Sequence, residues 1–155
     1  MPCVFAAWPV VTFDGRVVGC CQQHVVDGPA PSHLRLGRAP DVGWPAVARA
    51  VRERAALRGL RTFGPEVLAR QAGAELSTRG YCGTCAALDG DQRVVIALDE
   101  LTRRPSFPVL ENEIQRHYQE GGPDGFARRF GIAKYAHMLT LGLIEEGMAD
   151  ATSAR

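Results

Sequence analysis

The placement of five cysteines constrains this chain more than any other feature. Cys3, Cys20 and Cys21 lie near its beginning, Cys82 and Cys85 form a Cys-Gly-Thr-Cys pair far downstream, and the last seventy residues contain none. An odd count argues against a disulfide framework, and thiols that cluster in a reducing compartment more often bind metal than pair with each other. Each group brings at least two sulfurs, so together they supply the four soft ligands that a zinc ion or an iron-sulfur cluster takes. The plainer alternative is that they are small buried apolar residues that happen to lie near each other.

The local patterns place these thiols on specific elements. Residues 4 to 13 are apolar and β-branched, Asp14-Gly15 is a strong turn dipeptide, and residues 16 to 21 resume the apolar run, which predicts a β-hairpin. Cys3 then starts one strand and Cys20 ends the other, so the hairpin makes neighbours of them. Residues 77 to 83 read as a loop that delivers Cys82 and Cys85 on a tight turn. A metal joining the two clusters closes a loop of about sixty residues, worth a few kcal/mol if it behaves like a covalent crosslink.

Elsewhere the pattern is helical. Trp44, Val47, Val51 and Ala55 recur at three- and four-residue steps behind Pro45, which predicts one amphipathic helix over residues 44 to 60. A shorter helix is expected from Pro65 to about Ala72, and residues 94 to 101 form an apolar run of ambiguous type. Residues 103 to 108 resemble a linker. Beyond it Leu110, Ile114 and Tyr118 mark one helix face, residues 121 to 125 read as a break, and Phe126, Phe130, Ala133, His137 and Leu141 mark a second helix.

Composition excludes more than it selects. The formal net charge is +1, which gives no electrostatic footprint for nucleic acid or an anionic membrane. Lys134 is the only lysine, a bias that fits a GC-rich coding sequence better than selection for anion binding. No apolar run is long enough to span a bilayer and the N-terminus lacks a basic leader, so a cytoplasmic protein is expected. Neither a zinc-protease helix motif, nor a Ser/His/Asp order, nor a glycine-rich loop opening a helix is present, which removes the residues for those chemistries. Arg49, Arg52, Arg54, Arg58 and Arg61 read as a solvated helix face. His24 is a possible substitute ligand but, like His33, reads as a solvated loop residue, and His117 and His137 as packing residues of the tail. Trp8 and Trp44 are expected either to cover the thiols with apolar surface or to pack in the core.

In order, the pattern is Cys3, Gly15 in a turn, Cys20, a long helical gap, then Cys82-Gly-Thr-Cys85. It resembles the auxiliary iron-sulfur domains, called SPASM and twitch, that follow the barrel of radical SAM enzymes, and the stretch from residue 12 to residue 21 is especially similar to their hairpin. The resemblance covers about residues 3 to 88. It is to the smaller, single-cluster version, because no further cysteines follow Cys85.

The resemblance implies one [4Fe-4S] cluster on Cys3, Cys20, Cys82 and Cys85, with Cys21 as the substitute for Cys20 should the register slip by one. The alternative cofactor is zinc in a non-catalytic protein-interaction domain. The expected fold is α+β: a small β-hairpin plus helices around a four-cysteine site over residues 1 to 103, then a helical tail over residues 104 to 155. The Cys-x3-Cys-x2-Cys motif that binds the catalytic cluster is absent, so the chain is not a self-sufficient radical SAM enzyme. The resemblance implies a truncated or split part of one, with a radical SAM barrel protein or a peptide substrate as partner, and a role in electron transfer or substrate positioning during peptide or small-molecule modification.

Overall fold

A computed structural model describes residues 2 to 130, with side chains described through residue 121. Helices and a small antiparallel sheet share the described chain, an α+β composition. Its three strands, β1 (Val10–Val11), β2 (Arg16–Val18) and β3 (Arg35–Arg38), lie in sequence order. The predicted hairpin is present in shortened form: Val10 pairs with Val18 and Val11 with Val17. Residues 4 to 7, expected to be strand, form a 3-10 turn (Val4–Ala7) that buries Ala6. At the hairpin tip Gly15 takes φ +80°, its amide donates to Thr12 O at 2.9 Å, and Thr12 N donates to Arg16 O at 2.9 Å. This is a type I turn closed by a glycine bulge, a connection whose twist suits a right-twisted ribbon. Asp14 locks it by accepting from the Thr12 hydroxyl and the Arg16 guanidinium, and these two contacts hold its carboxyl down at about 2.

Helices α1 (Gln23–Asp27), α2 (Trp44–Glu53), α3 (Ala55–Thr62), α4 (Pro65–Gln71), α5 (Gly80–Ala87), α6 (Gln92–Arg103) and α7 (Ser106–Phe130) follow in chain order, with β3 between α1 and α2. The single helix expected over residues 44 to 60 is two helices, because Arg54 adopts an extended backbone with ψ 124°. The break exposes carbonyls at the end of α2, and a helix end needs partners for them. Arg61 supplies these, donating to Val51 O at 2.6 Å and Arg52 O at 3.2 Å, while Arg54 donates to Arg35 O at 2.5 Å. Two of the arginines read as a solvated face therefore bind the backbone of other elements.

The core lies around α3. Leu57 and Leu60 point into it, and α3 approaches α6 so closely at Gly59 that a Cβ there would sit 2.3 Å from Leu98. The apolar run of ambiguous type is the inner face of α6, capped at its start by Asp91, whose carboxylate accepts from Arg93 N at 2.9 Å. Val94, Ala97, Leu98 and Leu101 are its buried stripe. Each fully buried leucine stabilises the fold by about 2 kcal/mol relative to an exposed one.

The chain divides into two compact units, Met1–Ile114 and Gln115–Arg155. Within the first, Phe107 at the start of α7 is almost fully buried, stacks obliquely against Phe63 with centroids 5.7 Å apart, and lies under the Arg58 guanidinium at 4.8 Å. Arg58 also grips Glu111 through two nitrogens, at 2.9 and 2.6 Å. The segment read as a linker thus carries a core anchor. In the second unit the helical backbone of α7 continues through residues 121 to 125, where a break was expected. Glycine weakens a helix by about 1 kcal/mol per residue and proline by about 3, a cost that need not decide where the helix ends. Ala133, His137 and Leu141, expected on a second tail helix, lie outside the described residues, as do the side chains of Phe126 and Phe130.

Candidate metal centre

Three separate segments carry the four cysteines singled out from sequence, and each is fixed by a different device. Cys3 precedes the first 3-10 turn, and its amide donates to Leu60 O, near the end of α3, at 2.9 Å. Cys20 follows β2 and is buried. Its position depends on Gly19, whose amide donates to Leu34 O at 2.7 Å and where a Cβ would lie 3.1 Å from both Leu57 methyl groups. The Gln22 amide then donates to Cys20 Sγ at 3.4 Å.

Cys82 and Cys85 are not on a tight turn as expected; they lie on helix α5. Three residues apart, they share one helix face, so the helix alone aims both sulfurs the same way. The two residues between them explain how that helix docks. A Cβ at Gly83 would fall 2.6 Å from Arg79 Cβ and 2.9 Å from Ser77 Oγ, so the incoming loop crosses directly against the glycine. Thr84 is buried, accepts from Ser77 N at 3.1 Å and donates to Gly80 O at 3.1 Å, which clamps the same loop to the helix.

The four thiols form one electrostatic neighbourhood. Burial is the main cause that raises the Cys85 thiol, and the charges of Cys3, Cys20 and Cys82 raise it further. Cys20 is pushed up to about 12 by burial, then by Cys3, Cys21 and Cys82. Burial also raises Cys3, with Cys82 adding to the effect, while the Ala6 and Phe5 amides and the Tyr81 hydroxyl oppose it. Cys21 is raised by its own burial, and its charge in turn raises Cys20.

Thiolates near one another repel, and a cation placed among them reverses that penalty. Thiolate donors suit a thiophilic metal in kind. Spacing is the second requirement. Among the described residues no three or more of His, Cys, Asp and Glu are gathered tightly enough to hold a metal ion. Zinc at about 2.3 Å from each of four sulfurs would draw them to roughly 3.8 Å from one another. The thiols influence one another's titration but are not gathered into a metal-binding group.

Two further residues belong to this neighbourhood that sequence reasoning left out. Tyr81 is held strongly in its protonated form, first by burial and then by the Cys3 charge, and hydrogen bonds to Cys3. Its adjacency to Cys82 was the available signal. His33, read as a solvated loop residue, has a side chain only 14% exposed, and its Nε2 lies 3.5 Å from Cys85 Sγ. Fifty-two residues separate the pair, so no local pattern linked them. His24, by contrast, is exposed on α1, and Trp8 and Trp44 are 43% and 60% exposed. His117 is half-buried on α7.

No protein-family model, curated protein or solved structure matches this chain. Among the described residues no helix is long and apolar enough to cross a membrane.

Proposed function

We propose that the chain binds one auxiliary [4Fe-4S] cluster through Cys3, Cys20, Cys82 and Cys85, as a SPASM- or twitch-like module of a split radical SAM enzyme. What supports this reading is that the charges of Cys3, Cys20 and Cys82, carried by three separate segments, all bear on the Cys85 thiol. When bound, the cluster would supply a one-electron site without an open iron position, because all four positions are taken by protein sulfur.

The chain's own residues then have defined tasks. Helix α5 presents two thiolates on one face, Gly19 lets the end of β2 bring Cys20 against α3, and the Leu60 carbonyl holds Cys3 in place. Cys20 is buried and the other three cysteines are half-buried, which limits water at the sulfurs and favours electron transfer or positioning of a substrate over chemistry on the chain itself. The barrel that generates the radical would come from another chain, and a peptide or small molecule would be the substrate.

Anaerobic reconstitution with iron and sulfide tests the assignment. The wild type and the Cys21→Ala variant should bind a cluster, whereas Cys20→Ala, Cys82→Ala and Cys85→Ala should not. If Cys21→Ala loses iron and Cys20→Ala keeps it, the ligand set is wrong by one position.

A further inference from the structure

Beside the close approach of α3 to α6 at Gly59 and Leu98, where Ala56 stands one turn earlier on α3 and Val95 one turn earlier on α6, lies a cavity of about 180 Å³. Its walls include Leu60, Leu68, Leu88 and Leu98, all buried. Exposed residues, Gly90, Gln92 and Val95, lie at its rim, and a Cβ added at Gly90 would meet nothing within 4 Å, so the entrance is unobstructed on that side. One polar side chain of the lining is not at the exposed rim: His33, 14% exposed. Its Nδ1 stands 4.0 Å from Asp89 Oδ1, beyond hydrogen-bond range, while Asp89 is fixed by the Ser32 amide at 2.7 Å. Among the described residues the lining contains no Asp, Glu, Lys or Arg, and no cysteine.

We infer that this cavity is a binding site for a small neutral molecule of the phenol class, its ring among the leucines and its hydroxyl hydrogen-bonded to His33. Size sets the ring: an aliphatic cavity of about 150 Å³ takes one benzene. Charge sets neutrality, because no ionic side chain lines the walls to pair with a charged guest and the Asp89 carboxylate beside His33 repels an anion. Chemistry sets the hydroxyl, which both donates and accepts and so satisfies an imidazole nitrogen in either tautomer. A purely apolar guest would leave that nitrogen without a partner inside a low-polarity site, which costs binding. Since no cysteine lines the cavity, the inference stands whatever the thiols hold.

Titration of the full chain, labelled at leucine and valine methyl groups, with phenol, toluene and benzoate tests this by nuclear magnetic resonance. Phenol should shift the methyl signals of Leu68, Leu88 and Leu98 saturably, with a Kd of about 1 mM or tighter. Toluene should bind about tenfold more weakly, and benzoate more weakly still. Val95→Trp, at an exposed position on the rim, should weaken phenol binding about tenfold or more by filling the entrance, whereas Ile96→Trp, exposed and outside the lining, should leave it unchanged. In His33→Leu the preference for phenol over toluene should disappear. The absence of saturable shifts with phenol would overturn the site, as would phenol binding in Val95→Trp equal to wild type. Toluene or benzoate binding the wild type as tightly as phenol would overturn the assigned ligand class, and that result needs no variant to fold.

Discussion

The two cysteine pairs are positioned by opposite means. Cys82 and Cys85 owe their alignment to one short helix, and the residues that seat it, Ser77, Gly80, Gly83 and Thr84, all lie within a few positions. Cys3 and Cys20 owe theirs to distant partners: Leu60 for the first, Leu34 and Leu57 for the second. A local clip keeps its geometry as long as its helix forms. A pair fixed by long-range contacts keeps its geometry only while the core around α3 is intact. Loosening the core should therefore separate the first pair from the second before either is lost locally.

Substitutions at the proposed ligands should give the largest effects. Replacing Cys82 or Cys85 by Ala removes half of the local clip, and iron and sulfide content should fall to background, with Cys21→Ala as the unaffected control. Next comes the core that holds the distant pair. Leu57→Ala should cost about 2–5 kcal/mol in denaturant unfolding, because the residue is fully buried and contacts both the Gly19 approach and the body of the core. Its cluster loading should drop more than its helix content, measured by circular dichroism; equal losses would contradict the contrast between the pairs.

Gly83→Ala probes the local clip in the same way. The added methyl group would meet Arg79 Cβ and Ser77 Oγ, so a stability loss of about 1–3 kcal/mol is expected, with hydrogen exchange increased over residues 77 to 87 and unchanged in the hairpin. The Arg58–Glu111 pair is partly exposed, with side chains 29% and 23% accessible, and Glu111→Ala should cost about 1 kcal/mol in thermal or urea unfolding.

Alkaline pH acts on both pairs in the same direction. Cys20 carries its proton up to about 12 in the fold, against 9.0 for a free thiol, and Cys85 is raised as well. A thiol raised on folding contributes stability that is complete below its unfolded value and is lost as pH climbs toward the folded one. Metal-free protein should accordingly hold its unfolding midpoint up to about pH 9 and lose stability between about pH 9 and pH 12. Cys20→Ser should flatten part of that decline.

Much of this arrangement was legible in the sequence, and the exceptions share a cause. Asp14-Gly15 announced the hairpin because its turn chemistry is local, and Pro65 announced α4 for the same reason. The spacing of Cys82 and Cys85 suggested a tight turn, whereas the element is a helix that sets both residues on one face. Residues 4 to 7 misled because an apolar, β-branched run suits a buried 3-10 turn as well as a strand. Arg54 breaks the helix between α2 and α3 without glycine or proline, and the carbonyls it frees are met by Arg61, a long-range solution that periodicity cannot register. His33 was invisible for a related reason: its partner lies fifty-two residues away, and the short turn that carries it has no pattern of its own.

The most direct test of the central claim is anaerobic iron and sulfide analysis of the purified protein, read together with electron paramagnetic resonance after reduction. The account predicts a brown protein with about four irons and four sulfides per chain and a signal from a reduced cluster. A colourless protein carrying one zinc per chain, or none, with no such signal would contradict it.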